Sequence, residues 1–139
     1  MRTTLFFILF MVSGCLGAPK TNEIFILQPE PIKQFDNILY TFKMVESSNR
    51  EKVVNPSGAT GILQIMPIMI KEVNRICKKL KNPMRFTLAD RFDLPKSVQI
   101  WYIVQNYYNA GYDLKKACKV WNSRGGEKYL NAIKKYMNL

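Results

Sequence analysis

Glu46 is the carboxylate in this sequence that is best placed for acid–base chemistry. The chain of 139 residues has ten Asp and Glu residues and no histidine. A Ser-His-Asp triad and a histidine-ligated metal are therefore excluded, and proton transfer must be done by carboxylates, lysines or tyrosines. Leu39, Phe42 and Glu46 recur at helical spacing, which predicts that Glu46 lies on an apolar helix face near the C-terminal end. Burial and the helix dipole both raise the pKa of such a carboxyl group; the alternative is an ordinary surface carboxylate.

A glycine-bearing turn follows Glu46, and a single polar residue comes after it. Residues 55–58, Asn-Pro-Ser-Gly, are a turn signal, and Gly61 lies a little further along the chain. Glycines at these positions let the backbone approach a bulky ligand closely. Gln64 interrupts an apolar run at residues 62–66, and its amide can donate and accept hydrogen bonds toward a ligand or toward Glu46. The alternative for Gln64 is a solvent-facing residue on a short helix.

Helices are the elements that must position these residues. Apolar residues recur at helical spacing after residue 35, and neither an alternating strand pattern of useful length nor an internal repeat is present. Capping residues, prolines and glycines mark the starts. The helices are predicted to begin near Asp36, Ile62, Pro67, Asp93, Asp113 and Gly125-Gly126. The sequence therefore predicts a small all-α domain over residues 35–139, with few or no strands.

The composition fits one globular domain that meets a polyanion. Hydrophobic residues make up 47% of the chain and charged residues 22%, and the length suits a single modest core. The formal net charge is +11. A balance this basic indicates nucleic acid, an anionic membrane or an acidic wall polymer as the surrounding or the partner.

Residues 1–18 have the features of an export signal. Arg2 supplies a positive charge, and the apolar run at residues 5–12 is far shorter than the ~20 residues of a membrane span. Residues 12–15, Val-Ser-Gly-Cys, resemble the lipobox of bacterial lipoproteins, which predicts cleavage before Cys15 and lipidation of its thiol. The alternative is ordinary cleavage near Ala18. Residues 19–34 are predicted to be a tether, and we expect an exported protein of the cell envelope, held in the periplasm by a lipid anchor in a membrane.

Two cysteines remain after the signal, Cys77 and Cys118. In an oxidising compartment they could form a disulfide. The alternative is that each is a small apolar core residue on its own helix, and both alternatives stay open because sequence gives no Cα separation.

Three motifs resemble those of the lytic transglycosylases of the goose-lysozyme-like superfamily. Glu46-Ser47 matches the family's catalytic Glu-Ser, and Trp121-Asn122 matches its Tyr-Asn. Residues 58–67, GATGILQIMP, match the block Gly-Ala-x-Gly-Leu-Met-Gln-Leu-Met-Pro, which is long and specific. The resemblance runs from about residue 35 to 137 and implies a lysozyme-like helical domain.

The resemblance also implies a substrate and a mechanism. In the family one Glu protonates the β-1,4 bond between N-acetylmuramic acid (MurNAc) and N-acetylglucosamine (GlcNAc) of peptidoglycan. The carboxylate then takes the proton of the MurNAc C6 hydroxyl, which attacks C1 and forms a 1,6-anhydro end. By their matches Glu46 is implied to be catalytic, and Ser47, Gln64, Trp121 and Asn122 are implied to bind substrate. No cofactor and no metal is implied, and we expect a monomer without a nucleic-acid partner.

Departures from the family keep other functions open. Trp121 stands where the family has tyrosine, and an indole N–H donates a hydrogen bond but cannot accept one. Trp121 could stack on a sugar or be a core aromatic, and Asn122 could bind an amide or cap a helix. One alternative is a hydrolytic muramidase on the same fold, with Glu51 as a second carboxylate unless Glu51 is a solvated loop charge. Another is a catalytically inactive, peptidoglycan-binding lipoprotein.

Overall fold

The fold is a small bundle of short helices. A computed structural model describes residues 32–137. Within these residues there are five α-helices and one 3₁₀ helix and no β-strand, so the predicted all-α class is confirmed. The helices are α1 (Ile32–Ser47), α2 (Pro67–Lys79), α3 (Leu94–Tyr108), α4 (Leu114–Trp121) and α5 (Gly126–Met137), with the 3₁₀ helix at Ala89–Phe92.

Local signals in the sequence set most of the helix starts. Pro67 occupies the first turn of α2, where its missing N–H costs nothing. Asp93 caps α3 by accepting a hydrogen bond from the Lys96 amide at 2.8 Å, and Asp113 caps α4 by accepting one from the Lys116 amide at 2.6 Å. These starts agree with the sequence prediction, as does the start of α5 at Gly126.

The start of α1 differs from the prediction. Asp36 was expected to cap this helix, but the helix begins at Ile32, so residues 32–34 of the predicted tether are helical. The Asp36 carboxylate lies inside the helix and accepts a hydrogen bond from the Tyr102 hydroxyl at 2.9 Å, a tertiary contact instead of a cap. The predicted signal peptide, tether and Cys15 lie mainly or wholly outside the described residues, and they stay predictions.

The predicted short helix at residues 62–66 is absent and a tight loop takes its place. Gly61 and Gln64 have φ values of +78° and +47°, which a right-handed helix cannot contain. Thr60 and Ile65 exchange backbone hydrogen bonds of 2.8 and 3.2 Å, which close the loop. The apolar side chains Ile62, Leu63 and Ile65 of this loop are buried, so the apolar run reflects burial and not helical periodicity.

The core surrounds α3 and the α1–α5 pair. Ile100, Trp101 and Val104 of α3 are buried, and α2 and α4 pack against this helix. Phe42 of α1 contacts Trp101 and Tyr129 edge to face, at centroid distances of 5.4 and 5.9 Å. Such aromatic pairs contribute about 0.5–1.5 kcal/mol each beyond area burial. Phe42 therefore fixes α1 against α3 and α5 one helical turn before Glu46.

Cys77 and Cys118 are free thiols, each buried on its own helix. The structure thus agrees with the separate-core alternative and not with a disulfide. Burial raises the pKa of both thiols, that of Cys118 to about 11, so both are neutral and inert at ordinary pH. Between residues 32 and 137, no helix has the length and apolar character needed to cross a bilayer.

Candidate active site

Glu46 opens into a cleft between the end of α1, the loop at residues 53–66 and the turn after α4. The cleft has a volume of about 400 Å³, which is within the ordinary range of ligand sites. Polar and apolar side chains are mixed in its wall. The lining residues are Glu46, Asn55, Ser57, Ala59, Gln64, Ile65, Met66, Ile68, Met69, Trp121, Asn122, Ser123 and Arg124.

Tyr129 of α5 holds the Glu46 carboxyl group. The Tyr129 hydroxyl donates a hydrogen bond to Glu46 Oε1 at 2.5 Å, and Tyr129 is itself buried. Burial raises the pKa of Glu46 above 4.5, and the Tyr129 hydrogen bond, which favours the carboxylate, offsets part of that rise. Burial and the neighbouring Glu46 raise the pKa of Tyr129, so the phenol stays protonated as a donor. The pair can therefore store a proton on Glu46 and stabilise the anion after the proton has left.

Close packing at Gly125 supports this hydrogen bond. A Cβ on Gly125 would lie 2.5 Å from Cβ of Tyr129 and 3.1 Å from Cγ of Asn122. Only a residue without a side chain allows the turn after α4 to approach α5 this closely. The turn that forms one wall of the cleft is thus packed on the residue that holds Glu46.

The loop at residues 53–66 forms the opposite wall and is held by Gly61 and Arg91. A Cβ on Gly61 would lie 1.8 Å from the Arg91 carbonyl oxygen, so the two backbones are in direct contact. The Arg91 guanidinium donates to the carbonyl oxygens of Gly58 and Ile65 at 2.9 and 3.2 Å. Asn55 Oδ1 accepts from the backbone N–H of Ala59 at 3.0 Å. These contacts give the wall a fixed backbone shape.

Gln64 lines the cleft, as expected of a residue near Glu46. Its amide Nε2 donates to the carbonyl oxygens of Gly61 and Val53 at 2.9 and 3.3 Å. No hydrogen bond joins Gln64 to Glu46 in the part of the chain that the structure describes. The donor of Gln64 therefore shapes the loop, and its proposed contact with substrate stays a prediction.

Trp121 and Asn122 line the cleft from the end of α4. The Trp121 indole N–H donates to the Leu63 carbonyl oxygen at 3.2 Å, which ties α4 to the loop at residues 53–66. Asn122 is the C-cap of α4, and its Oδ1 accepts from the Gly125 amide at 3.0 Å. Both side chains thus have structural partners and also border the cleft, and their roles in binding stay predictions.

Ser47 and Glu51 lie apart from the cleft wall. The Ser47 hydroxyl is buried and donates to the Ile62 carbonyl oxygen at 2.8 Å, which joins α1 to the loop. A substrate-binding role for Ser47 has no support from this position and stays a prediction. Glu51 is exposed and is not among the lining residues.

Sequence reasoning missed Tyr129, Asn55 and Arg124. Tyr129 is one of seven tyrosines, and it shares a helix face with Ile133, four residues further on, so its spacing indicated a buried position. No sequence signal indicated that its hydroxyl would meet a carboxylate 83 residues away. In the sequence, Asn55 was noted only as part of a turn, and Arg124 was only one of 21 basic residues.

Comparison with known families assigns the chain. The sequence profile of the Transglycosylase SLT domain matches residues 33–123, which is more than half of the chain and includes all three motifs. Searches of curated proteins and of solved structures each gave no match. The helical fold and the cleft around Glu46 agree with the profile match. The chain therefore belongs to the Transglycosylase SLT domain family, lysozyme-like domains of the lytic transglycosylase type that act on peptidoglycan.

Proposed function

We propose that the protein is a lytic transglycosylase that cleaves the MurNAc-GlcNAc β-1,4 bond without water. The observation that carries this proposal is the Glu46–Tyr129 pair, in which a partly buried carboxyl group in the wall of a cleft is held by a phenol. A carboxyl group with a raised pKa keeps its proton nearer to neutral pH, which a general acid must do.

In the first step Glu46 gives its proton to the bridging oxygen as the bond from that oxygen to MurNAc C1 breaks. GlcNAc leaves as an alcohol, and C1 gains oxocarbenium character. The acetamido group of MurNAc stabilises the positive charge. The Glu46 carboxylate that remains is stabilised by the hydrogen bond from Tyr129.

In the second step the Glu46 carboxylate takes the proton of the MurNAc C6 hydroxyl while that oxygen bonds to C1. The product is a 1,6-anhydro end, and Glu46 regains its proton, so no water is consumed. One carboxyl group therefore serves both steps. The donor from Tyr129 lowers the pKa that burial raises, which keeps Glu46 capable of both losing and regaining a proton.

The composition of the cleft favours this chemistry over hydrolysis with two carboxylates. Hydrolases of that kind place a second carboxyl group about 5–9.5 Å from the first. Among the described residues that line the cleft, Glu46 is the one carboxylate, and Glu51 lies outside. Neighbouring-group assistance from the substrate agrees with a single carboxylate.

Mass spectrometry of digested peptidoglycan tests the proposal. Wild-type protein is incubated with purified sacculi, and half of the soluble product is reduced with borohydride. We expect ends that are lighter by one water than reducing ends and that borohydride leaves unchanged. Products with only reducible ends would identify a muramidase instead. Wall binding without any release by wild type would identify the inactive binding lipoprotein.

We propose further that the chain acts in the cell envelope after export, with a lipid on Cys15 as its anchor. Peptidoglycan lies outside the cytoplasmic membrane, which agrees with the export signal that the sequence predicts in residues 1–18. Labelling with a radioactive fatty acid tests the anchor. We expect label on wild type and none on Cys15→Ala, and an unlabelled wild type would exclude lipidation.

A further inference from the structure

Arg124 differs in its contacts from the other arginines of the described chain. It is exposed and lines the same cleft as Glu46. The other arginines in residues 36–137, namely Arg50, Arg75, Arg85 and Arg91, each donate at least one hydrogen bond within the protein. Across the same residues neither a hydrogen bond nor an ion pair holds the Arg124 guanidinium. None of the described residues therefore occupies its five donors, which can bind a ligand.

The charge of Arg124 has no counterpart in the cleft wall. Glu46 and Arg124 are the two ionisable residues among the lining residues, and the other side chains in the wall are neutral. Glu46 is partly buried and bonded to Tyr129, and burial favours its neutral form. Among the described lining residues Arg124 is thus the one cationic group, and it can attract an anion.

The turn that carries Arg124 is fixed relative to the reacting group. Arg124 lies between Asn122, the C-cap of α4, and Gly125. The Gly125 N–H donates to Asn122 Oδ1 at 3.0 Å, and Gly125 packs directly on Tyr129, which holds Glu46. The backbone of Arg124 is therefore held at a fixed position relative to Glu46, although the Arg124 side chain is exposed.

We propose that Arg124 is a specificity residue that binds a carboxylate attached to the MurNAc sugar at the cleft. This inference rests on the proposed function. The sugars of a peptidoglycan strand are neutral, and only MurNAc carries an acidic substituent: a lactyl carboxylate when the strand is naked, or the carboxylates of the stem peptide when it is substituted. A planar guanidinium pairs with a carboxylate through two parallel hydrogen bonds. Binding there selects which of the two alternating sugars presents its C1 to Glu46.

The test is binding by proteins that cannot turn substrate over. In the Glu46→Gln background, calorimetry compares Arg124 with Arg124→Gln and Arg124→Lys on three ligands. The ligands are a neutral GlcNAc tetrasaccharide, a naked GlcNAc-MurNAc tetrasaccharide, and the same glycan with stem peptides. Lys135→Gln is the matched control, because Lys135 is exposed, lies outside the cleft wall and loses the same charge.

We expect Arg124→Gln to weaken binding of a MurNAc ligand roughly fivefold or more, the effect of one partly exposed charge-assisted pair. Arg124→Lys should recover part of the loss, and the GlcNAc tetrasaccharide should be unaffected. A loss on the naked glycan assigns the lactyl carboxylate, and a loss on the substituted glycan alone assigns the stem peptide. An equal loss on all three ligands, or a loss no larger than that of Lys135→Gln, overturns the inference.

Steady-state kinetics separate this inference from the proposed function. With wild-type Glu46 present, Arg124→Gln should raise KM for sacculi and leave the anhydro product unchanged. If anhydro ends form but Arg124→Gln binds every ligand like its parent, only the carboxylate inference fails. If Arg124 binds MurNAc ligands as expected but no anhydro ends form, the proposed reaction fails and the binding subsite stands.

Discussion

The hydroxyl of Tyr129 on α5 donates a 2.5 Å hydrogen bond to Oε1 of Glu46 on α1, and the two residues are 83 positions apart in sequence. The bond combines with burial to give Glu46 two opposed influences, one that favours the protonated form and one that favours the anion. A group that must act first as acid and then as base needs both. Within the described residues, the phenol that donates to the Glu46 carboxyl group comes from α5.

Replacing Tyr129 with Phe should impair catalysis and shift its pH dependence. A hydrogen bond to a charged group contributes about 1.5–3 kcal/mol, so we expect kcat to fall about 10- to 100-fold. Without the donor the pKa of Glu46 rises further, and the alkaline limb of kcat/KM moves to higher pH. Tyr136→Phe, an exposed residue of the same helix, is the control. A Tyr129→Phe variant with wild-type rate and profile would show that the bond has no catalytic role.

Replacing Gly125 with Ala should act on catalysis through Tyr129. The added Cβ would lie 2.5 Å from Cβ of Tyr129, so the turn or Tyr129 must shift, and we expect the phenol to be displaced relative to Glu46. A displacement near 1 Å at a reacting group can cost about 100-fold in rate. Gly111→Ala is the control, because a Cβ at Gly111 has no atom within 4 Å. Equal turnover of sacculi by the two variants would contradict the coupling of this turn to Tyr129.

Disrupting the contact between Gly61 and Arg91 should lower the free energy of unfolding. Gly61→Ala places a side chain on a backbone with φ of +78°, which costs about 1–2 kcal/mol. The added Cβ would also lie 1.8 Å from the Arg91 carbonyl oxygen, and this overpacking costs a further ~1–3 kcal/mol. Gly58→Ala has a similar φ of +82° but open space around its Cβ, so it should carry only the first cost. Urea unfolding of both variants measures the difference. Equal losses of unfolding free energy would show that the loop moves freely away from Arg91.

Local signals predicted the scaffold because they act within a few residues. Pro67, Asp93 and Asp113 mark helix starts through their own backbone geometry and capping bonds. Helical spacing likewise predicted the apolar face on which Glu46 lies. The prediction that Asp36 caps α1 was wrong. The helix begins at Ile32, and the Asp36 carboxylate accepts a tertiary hydrogen bond from the Tyr102 hydroxyl instead.

Long-range pairing could not be predicted from the sequence in the same way. The run at residues 62–66 is apolar at every position but Gln64, a pattern that buried loops and buried helices share. Gln64 has a positive φ and donates hydrogen bonds to the carbonyl oxygens of Val53 and Gly61. Tyr129 was recognisable as a buried position but not as the partner of Glu46. Nor could the sequence show that no described residue pairs with the Arg124 guanidinium, because that depends on which neighbours the fold brings close.

Stability should depend on pH through Glu46. Because the pKa of Glu46 is raised in the folded protein, its neutral form stabilises the fold below pH 4.5, and this contribution is lost as the pH rises through the folded-state pKa. The glutamine in Glu46→Gln cannot ionise, so this variant does not lose stability as the pH rises through that range. We expect Glu46→Gln to have a higher Tm than wild type at neutral pH, with a gap that narrows toward pH 4. A Tm difference that does not change with pH would show that Glu46 has the same pKa in the folded and unfolded protein.

The central claim is that Glu46 is the catalytic acid, and the rate of release of soluble fragments from sacculi tests it most directly. Wild type is compared with Glu46→Gln and, as the matched control, with Glu51→Gln, an exposed carboxylate outside the cleft wall. We predict a loss of about 10²–10⁴-fold for Glu46→Gln, the range of general acid–base catalysis, and a rate near wild type for Glu51→Gln. Folded Glu46→Gln that releases fragments at the wild-type rate would contradict the account.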